Sequence, residues 1–288
     1  MSIYRSGEGH RQIRDWCEQR LAGWEQPHER AVFDTELGAT HIVTCGTGPP
    51  VVLVPGTNFA ATSWLELVSA LSVRHTVHAL DLPGQPGLSS PDRPRHGRQR
   101  YAQWLAGLLP RLSDVPVTLV GHSLGALVVL AAAGRSASAT RMVLLDPAGL
   151  RRLSISPTVL RPAISWTRNP DQQSSAALLS MMSAPGTTPA ADQVMWMTLV
   201  GRHVRTSLAP SPLPRADLDR LRGVPTTVVC GRHDAFLPAD RLARTVHRRL
   251  PTATMRIIEG AGHLLPHERP AVVVEELTSA SDEGHTAR

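Results

Sequence analysis

The chain has 288 residues, 42% of them hydrophobic, and a net charge of +6 from 30 basic and 24 acidic side chains. That length fits one large domain, or one domain with an insertion, and is enough to bury a sizeable core. Every basic residue is arginine and no aromatic residues interleave with them, which excludes a nucleic-acid-binding reading.

The cysteines, Cys17, Cys45 and Cys230, are widely spaced and odd in number. They match neither a disulfide framework nor a zinc site, so reduced thiols in a cytoplasmic protein are expected. No apolar run reaches the roughly 18 residues that span a bilayer. The first residues lack the apolar stretch of a secretory signal. Local arginine clusters at 93, 95, 98, 100 and at 241, 244, 248, 249 fit solvated faces. The alternative is a docking surface for an acidic partner such as an acyl carrier protein. Nothing in the sequence specifies an oligomeric state.

In chain order, Ile13, Trp16, Leu21 and Trp24 fall at helical spacing and predict a helix over 7–25, packed on the body of the protein. Residues 31–46 predict a strand pair that turns at Glu36–Ala39. Val51–Val54 is continuously apolar, as a strand buried on both faces must be. It runs into Pro55-Gly56-Thr57-Asn58, and a helix begins near Trp64. A strand over 76–80 stops at Asp81. A loop then leads to a helix near 98–112 and a central strand at 116–121. Met142–Leu145 is the next strand and ends at Asp146-Pro147. Residues 150–215 lack buried-strand runs, carry Met181, Met182, Met195, Trp196 and Met197, and close on a Pro-rich stretch at 210–214. They predict a mostly helical insertion. Strand character returns at 226–230 and 255–258. A last helix is expected at 268–279, and the polar tail from Ser281 is expected to fray. Such alternation implies an α/β fold with a mainly parallel sheet, whose substrate site lies at the carboxyl ends of its strands.

The stretch Val117–Leu130 organises the rest. A β-branched run ends at Gly121, Ser123 sits between two glycines, and a helix-compatible run follows at once. So abrupt a turn forces Ser123 into a strained backbone with positive φ. Gly121 and Gly125 are then glycines because strand and helix cross too closely for a Cβ. The hydroxyl is held out at the sheet edge, with the Leu124 amide beside it. This is the G-x-S-x-G nucleophile elbow. If Ser123 is a nucleophile, its partners must also follow strand ends. Asp234 does so after the strand at 226–230, and His263 after the strand at 255–258. A serine hydroxyl needs a neutral imidazole to take its proton, and the imidazole needs a carboxylate to fix its tautomer.

With G-H-S-L-G, G-R-x-D-x-x-x-P around Asp234 and G-x-G-H ending at His263, the sequence resembles the α/β-hydrolase superfamily over roughly 31–149 and 216–279. The resemblance implies a sheet of about eight strands flanked by helices, with a helical cap inserted after the sixth strand. On that reading, 1–149 and 216–288 form the core domain and 150–215 the cap. The resemblance also implies an oxyanion hole made by the backbone N–H of Leu124 and of Thr57, with Asn58 the competing donor. Pro55 stands where many relatives carry His. A serine nucleophile argues against epoxide opening and dehalogenation, for which relatives use Asp.

Other candidates compete for each role. Asp146 also follows a strand, although its Asp-Pro-Ala-Gly context fits a turn, and His122 and His267 fit structural positions. Asn58, Phe59, Trp166, Met181 and Trp196 are candidate substrate contacts in a mainly apolar pocket. No metal or cofactor is called for. The readings, in order, are a small-molecule carboxylesterase, a thioesterase or cyclase on a carrier-bound acyl chain, another enzyme using the same triad such as a carbon–carbon hydrolase, lyase or perhydrolase, and a non-catalytic binding protein.

Overall fold

The computed structural model describes residues 1–283 apart from 208, 209 and 222. Its eight strands are β1 (His28–Thr35), β2 (Gly38–Cys45), β3 (Pro50–Val54), β4 (Thr76–Leu80), β5 (Val117–His122), β6 (Ala139–Leu145), β7 (Thr226–Gly231) and β8 (Thr254–Ile258). They form one sheet in the order β1-β2-β4-β3-β5-β6-β7-β8. Strand β2 pairs antiparallel with β1 and β4, and every pair from β4 to β8 is parallel. This is the α/β-hydrolase fold expected from the sequence.

The helices are α1 (Gly7–Ala22), α2 (Leu65–Ser72), α3 (Gly97–Leu112), α4 (Leu124–Ala133), α5 (Pro157–Arg168), α6 (Gln172–Met182), α7 (Ala191–His203), α8 (Arg215–Asp219), α9 (Ala239–Arg249), α10 (Leu265–Glu268) and α11 (Pro270–Glu283). The continuous apolar runs of the central strands follow from burial on both faces. Val52, Val54, Leu119 and Leu144 turn to the layer built with α3, α4 and α9. Their neighbours Val51, Leu53, Val120 and Val143 turn to the layer built with α1, α2, α11 and the inserted helices. Side chains alternate across a strand, so one unbroken run feeds both cores.

Several boundaries differ from the sequence reading. Helix α1 stops at Ala22 because Gly23 follows, and its start is capped by Ser6 Oγ, which accepts from Gly9 N. Trp24 falls beyond the helix and donates instead to Ser69 Oγ. Helix α9 had no counterpart among the predicted elements. Its buried Leu242 and Val246 repeat at i, i+4 within a stretch dominated by arginine. Helix α11 runs to Glu283, so the tail expected to fray from Ser281 is helical for its first three residues, and 284–288 lie outside the described residues.

Three helices, α5 to α7, fill the stretch between β6 and the Pro-rich segment, as expected after the sixth strand. The N-terminal segment fastens them. Tyr4 bridges Val204, Arg205 N donates to Ile3 O at 2.7 Å and Arg5 N to His203 O at 2.9 Å. Ile3 N also donates to Pro91 O at 3.0 Å, tying the same segment to the loop after β4. Helix α1 therefore rests on α7 as well as on the body.

Candidate active site

The turn from β5 into α4 has the predicted strain. Ser123 adopts φ 49°, ψ −111°. A Cβ on Gly125 would lie 2.0 Å from the Val54 carbonyl oxygen, and one on Gly121 would lie 2.7 Å from the Ala126 backbone. Only glycine allows helix and strand to approach so closely. Ser123 is half-buried at the carboxyl edge of the sheet.

His263 Nε2 lies 3.1 Å from Ser123 Oγ, and His263 Nδ1 lies 2.8 Å from Asp234 Oδ2. The three residues expected to meet do so, with Asp234 and His263 each 3% exposed. The turn after β7 fixes Asp234. Its Oδ1 accepts from Phe236 N at 2.8 Å and Leu237 N at 2.9 Å. Burial would raise this carboxyl, but His263 and those amides outweigh it and hold it below the usual carboxylate range. The turns carrying acid and base touch at Gly231, whose Cβ would lie 2.2 Å from the Gly262 carbonyl oxygen.

The base loop is held from the insertion side. His263 N donates to Met182 O at 2.6 Å, at the end of α6. Glu268 Oε2 accepts from Gly262 N at 2.8 Å, and its Oε1 accepts from Ala184 N at 2.6 Å. Sequence reasoning missed Glu268 in this role. Its partners are backbone amides of two remote segments, which leave no mark in residue type.

The backbone N–H groups of Leu124, the residue after Ser123, and of Thr57, in the turn after β3, have no hydrogen-bond partner among the described residues. The competing amide is committed, because Asn58 N donates to Gln85 Oε1 at 3.0 Å. The Asn58 backbone has φ 67°, and its side chain pairs with Thr206 Oγ1.

His122 Nε2–H donates to His263 O at 2.8 Å, and burial pulls its imidazole down to about 3, so the ring is neutral. His267 is likewise pulled down to about 4 by burial and does not touch Ser123. Asp146 is fully buried with φ 43°. It accepts from Gly231 N at 2.9 Å rather than from His263.

Beside the triad opens a cleft of about 170 Å³, walled by Trp16, Phe59, Trp64, Trp196 and His267. Ser123 does not line it, and the Phe59 ring on its wall has its centroid 5.4 Å from that of His267 and 6.4 Å from that of His122, the residue before Ser123. Trp196 Nε1 donates to Asn58 O at 2.8 Å. Trp166 lies elsewhere, buried between α5 and α7 with its Nε1 donating to Met197 O at 3.0 Å. Met181 packs half-buried on the same apolar layer and does not line the cleft.

Residues 51–276 match the model of the alpha/beta hydrolase family. Carboxylesterase YbfK of Bacillus subtilis is 24% identical, with 91% of this chain and 90% of that protein covered. A second protein of that organism, called uncharacterized carboxylesterase nap, is 23% identical over 90% of this chain and 88% of its own length. Among solved structures, a hydrolase of Bacillus subtilis superposes with a TM-score of 0.83 at 21% identity, covering 95% of this chain and 99% of that one. The naproxen esterase of Bacillus subtilis does so with a TM-score of 0.77 at 23% identity, covering 95% and 97%. The family match spans both strand ends that carry the acid and the base as well as the elbow between two glycines, and on it the chain belongs to the alpha/beta hydrolase family.

Proposed function

We propose that the protein is a serine hydrolase cleaving the ester bond of a small, mainly apolar substrate. The observation that carries this is the unbroken chain Ser123 Oγ, His263 and Asp234, at 3.1 and 2.8 Å. Relatives named as carboxylesterases support the ester as the bond cleaved. In this reading His263 Nε2 takes the Ser123 proton as Oγ adds to the ester carbonyl carbon. Asp234 keeps the Nδ1–H tautomer and stabilises the imidazolium. The N–H groups of Leu124 and Thr57 receive the oxyanion, each worth about two to three orders of magnitude in turnover. His263 returns the proton to the departing alcohol, and water repeats the sequence to release the acid. The helices α5 to α7 act as the cap, and Phe59 and Trp196 supply apolar contact to the substrate.

The test is exposure to a fluorophosphonate probe, followed by peptide mapping. A single adduct on Ser123 that is lost in His263→Ala is expected, and folded protein left unlabelled would sink the reading. Ser123→Ala and His263→Ala should each lower kcat for a p-nitrophenyl ester by about 10⁶-fold, and Asp234→Asn by about 10⁴-fold.

A further inference from the structure

The buried carboxyl at the end of β6 has no part in the mechanism above, yet it lies against the triad acid. One oxygen of Asp146, Cys230 Sγ and one oxygen of Asp234 all lie within 4.8 Å of one another. Asp146 Oδ1 is used by Gly231 N, whereas Oδ2 is buried without a hydrogen-bond partner. An ionised oxygen there would be an acceptor with no donor, beside a second negative charge. A carboxylate offers about four lone-pair sites. On Asp234, Phe236 N and Leu237 N fill Oδ1, and His263 Nδ1 fills one site of Oδ2. One site on Asp234 is left open.

We propose that Asp146 stays protonated in the resting enzyme and donates from Oδ2–H to Asp234, so that the triad acid is a carboxylic acid–carboxylate pair. The inference rests on the Ser123–His263–Asp234 reading. Asp146 is then a positioning residue that acts through Asp234 and never touches substrate. Burial first, and the charge of Asp234 second, push Asp146 well above the usual carboxylate range. Its positive φ of 43° is a strained conformation for a residue with a side chain.

The other groups facing Asp146 do not take this role. Cys230 Sγ is directed to Gly231 O at 3.3 Å. His263 already has both ring nitrogens committed. His122 and His263 each bring a ring nitrogen within 4.8 Å of an Asp146 oxygen, but His122 gives its Nε2–H to His263 O and its Nδ1, which has no hydrogen-bond partner, lies against Gly56. Arg151, in the loop after β6, makes no ion pair with either carboxylate among the described residues.

Infrared difference spectroscopy on the full-length protein at neutral pH tests this directly. The expected result is a protonated-carboxyl stretch in the wild type that is lost in Asp146→Asn. Its absence overturns the proposal. The pH profile of kcat/KM is the second reading. Asn keeps a neutral donor, so the acidic limb should stay in place. Replacing an ionised Asp146 would instead remove a negative charge near His263 and move that limb down by about one pH unit or more, which would also overturn the proposal. Asp146→Ala removes the donor and should lower kcat about tenfold with KM unchanged, while Asn restores it. Full turnover in a folded Asp146→Ala enzyme refutes the positioning role. Should alanine prevent folding, the spectrum and the Asn profile decide. An unlabelled Ser123 with the infrared band intact would reject the triad reading alone.

Discussion

His122 and His267 both lie against the Phe59 ring. Burial lowers them to about 3 and about 4, against 6.5 for the free side chain. The unfolded chain therefore binds more protons than the folded one between about pH 6.5 and 3, and stability must fall as pH falls through that window. His122, shut from solvent, should contribute more than the half-buried His267. Urea midpoints measured at pH 7 and pH 4.5 should differ in that direction, and His122→Gln should flatten the difference. A pH-independent midpoint would show that neither ring resists its proton. The meeting of the three site positions was legible in the sequence because each is a polar residue just past a strand end. Ser123 and Asp234 follow the buried strands β5 and β7, and His263 follows the half-exposed β8, so residue type and topology marked the three positions together. Gln85 and Glu268 were not legible, because what they hold is backbone brought close only by folding.

At the level of elements, the site depends on how tightly β5, α4 and β3 approach. The atom that a Gly125→Ala methyl would strike is the Val54 carbonyl oxygen, which belongs to the sheet and cannot rotate aside. This substitution should destabilise the protein by about 1–3 kcal/mol or more, and adduct formation at Ser123 should fall with it. Unchanged melting and labelling would mean that the helix can retreat. Glu268 makes a second junction, between the His263 turn and the segment after α6. Glu268→Ala strips two amides of their acceptor and should cost about 1–3 kcal/mol. It should lower kcat more than it raises KM, because it loosens the base rather than a substrate contact. The regular elements that the sequence showed were those with one dominant pattern. Helix α9 escaped notice because its apolar face is only a few residues wide among arginines, and the start of β6 at Ala139 because its first residues are half polar.

On the scale of the whole molecule, the inserted helices are held by residues 1–22 through several contacts. Helix α1 lies on α7, the Arg20–Asp192 ion pair links the two at 2.9 Å, and the segment before α1 bridges Val204. Trp16 packs at a tilt against Trp196 with centroids 4.5 Å apart, and both line one wall of the cleft. Removing residues 1–22 should expose this wall, lower the melting temperature and increase binding of an apolar dye. Ester turnover should become less selective for acyl chain length. A truncated protein that melts and discriminates like the full chain would show that α1 is dispensable.

The bridge between Tyr4 and Val204 joins positions two hundred residues apart. At a synthesis rate of about 5–20 residues per second, the first segment leaves the ribosome about 10–40 s before its partner exists. This stretch thus waits about 200 residues of synthesis for its partner. A partner that holds this stretch during translation, or a bulky fusion ahead of it, would act on the final closure of the enzyme rather than on the folding of its sheet.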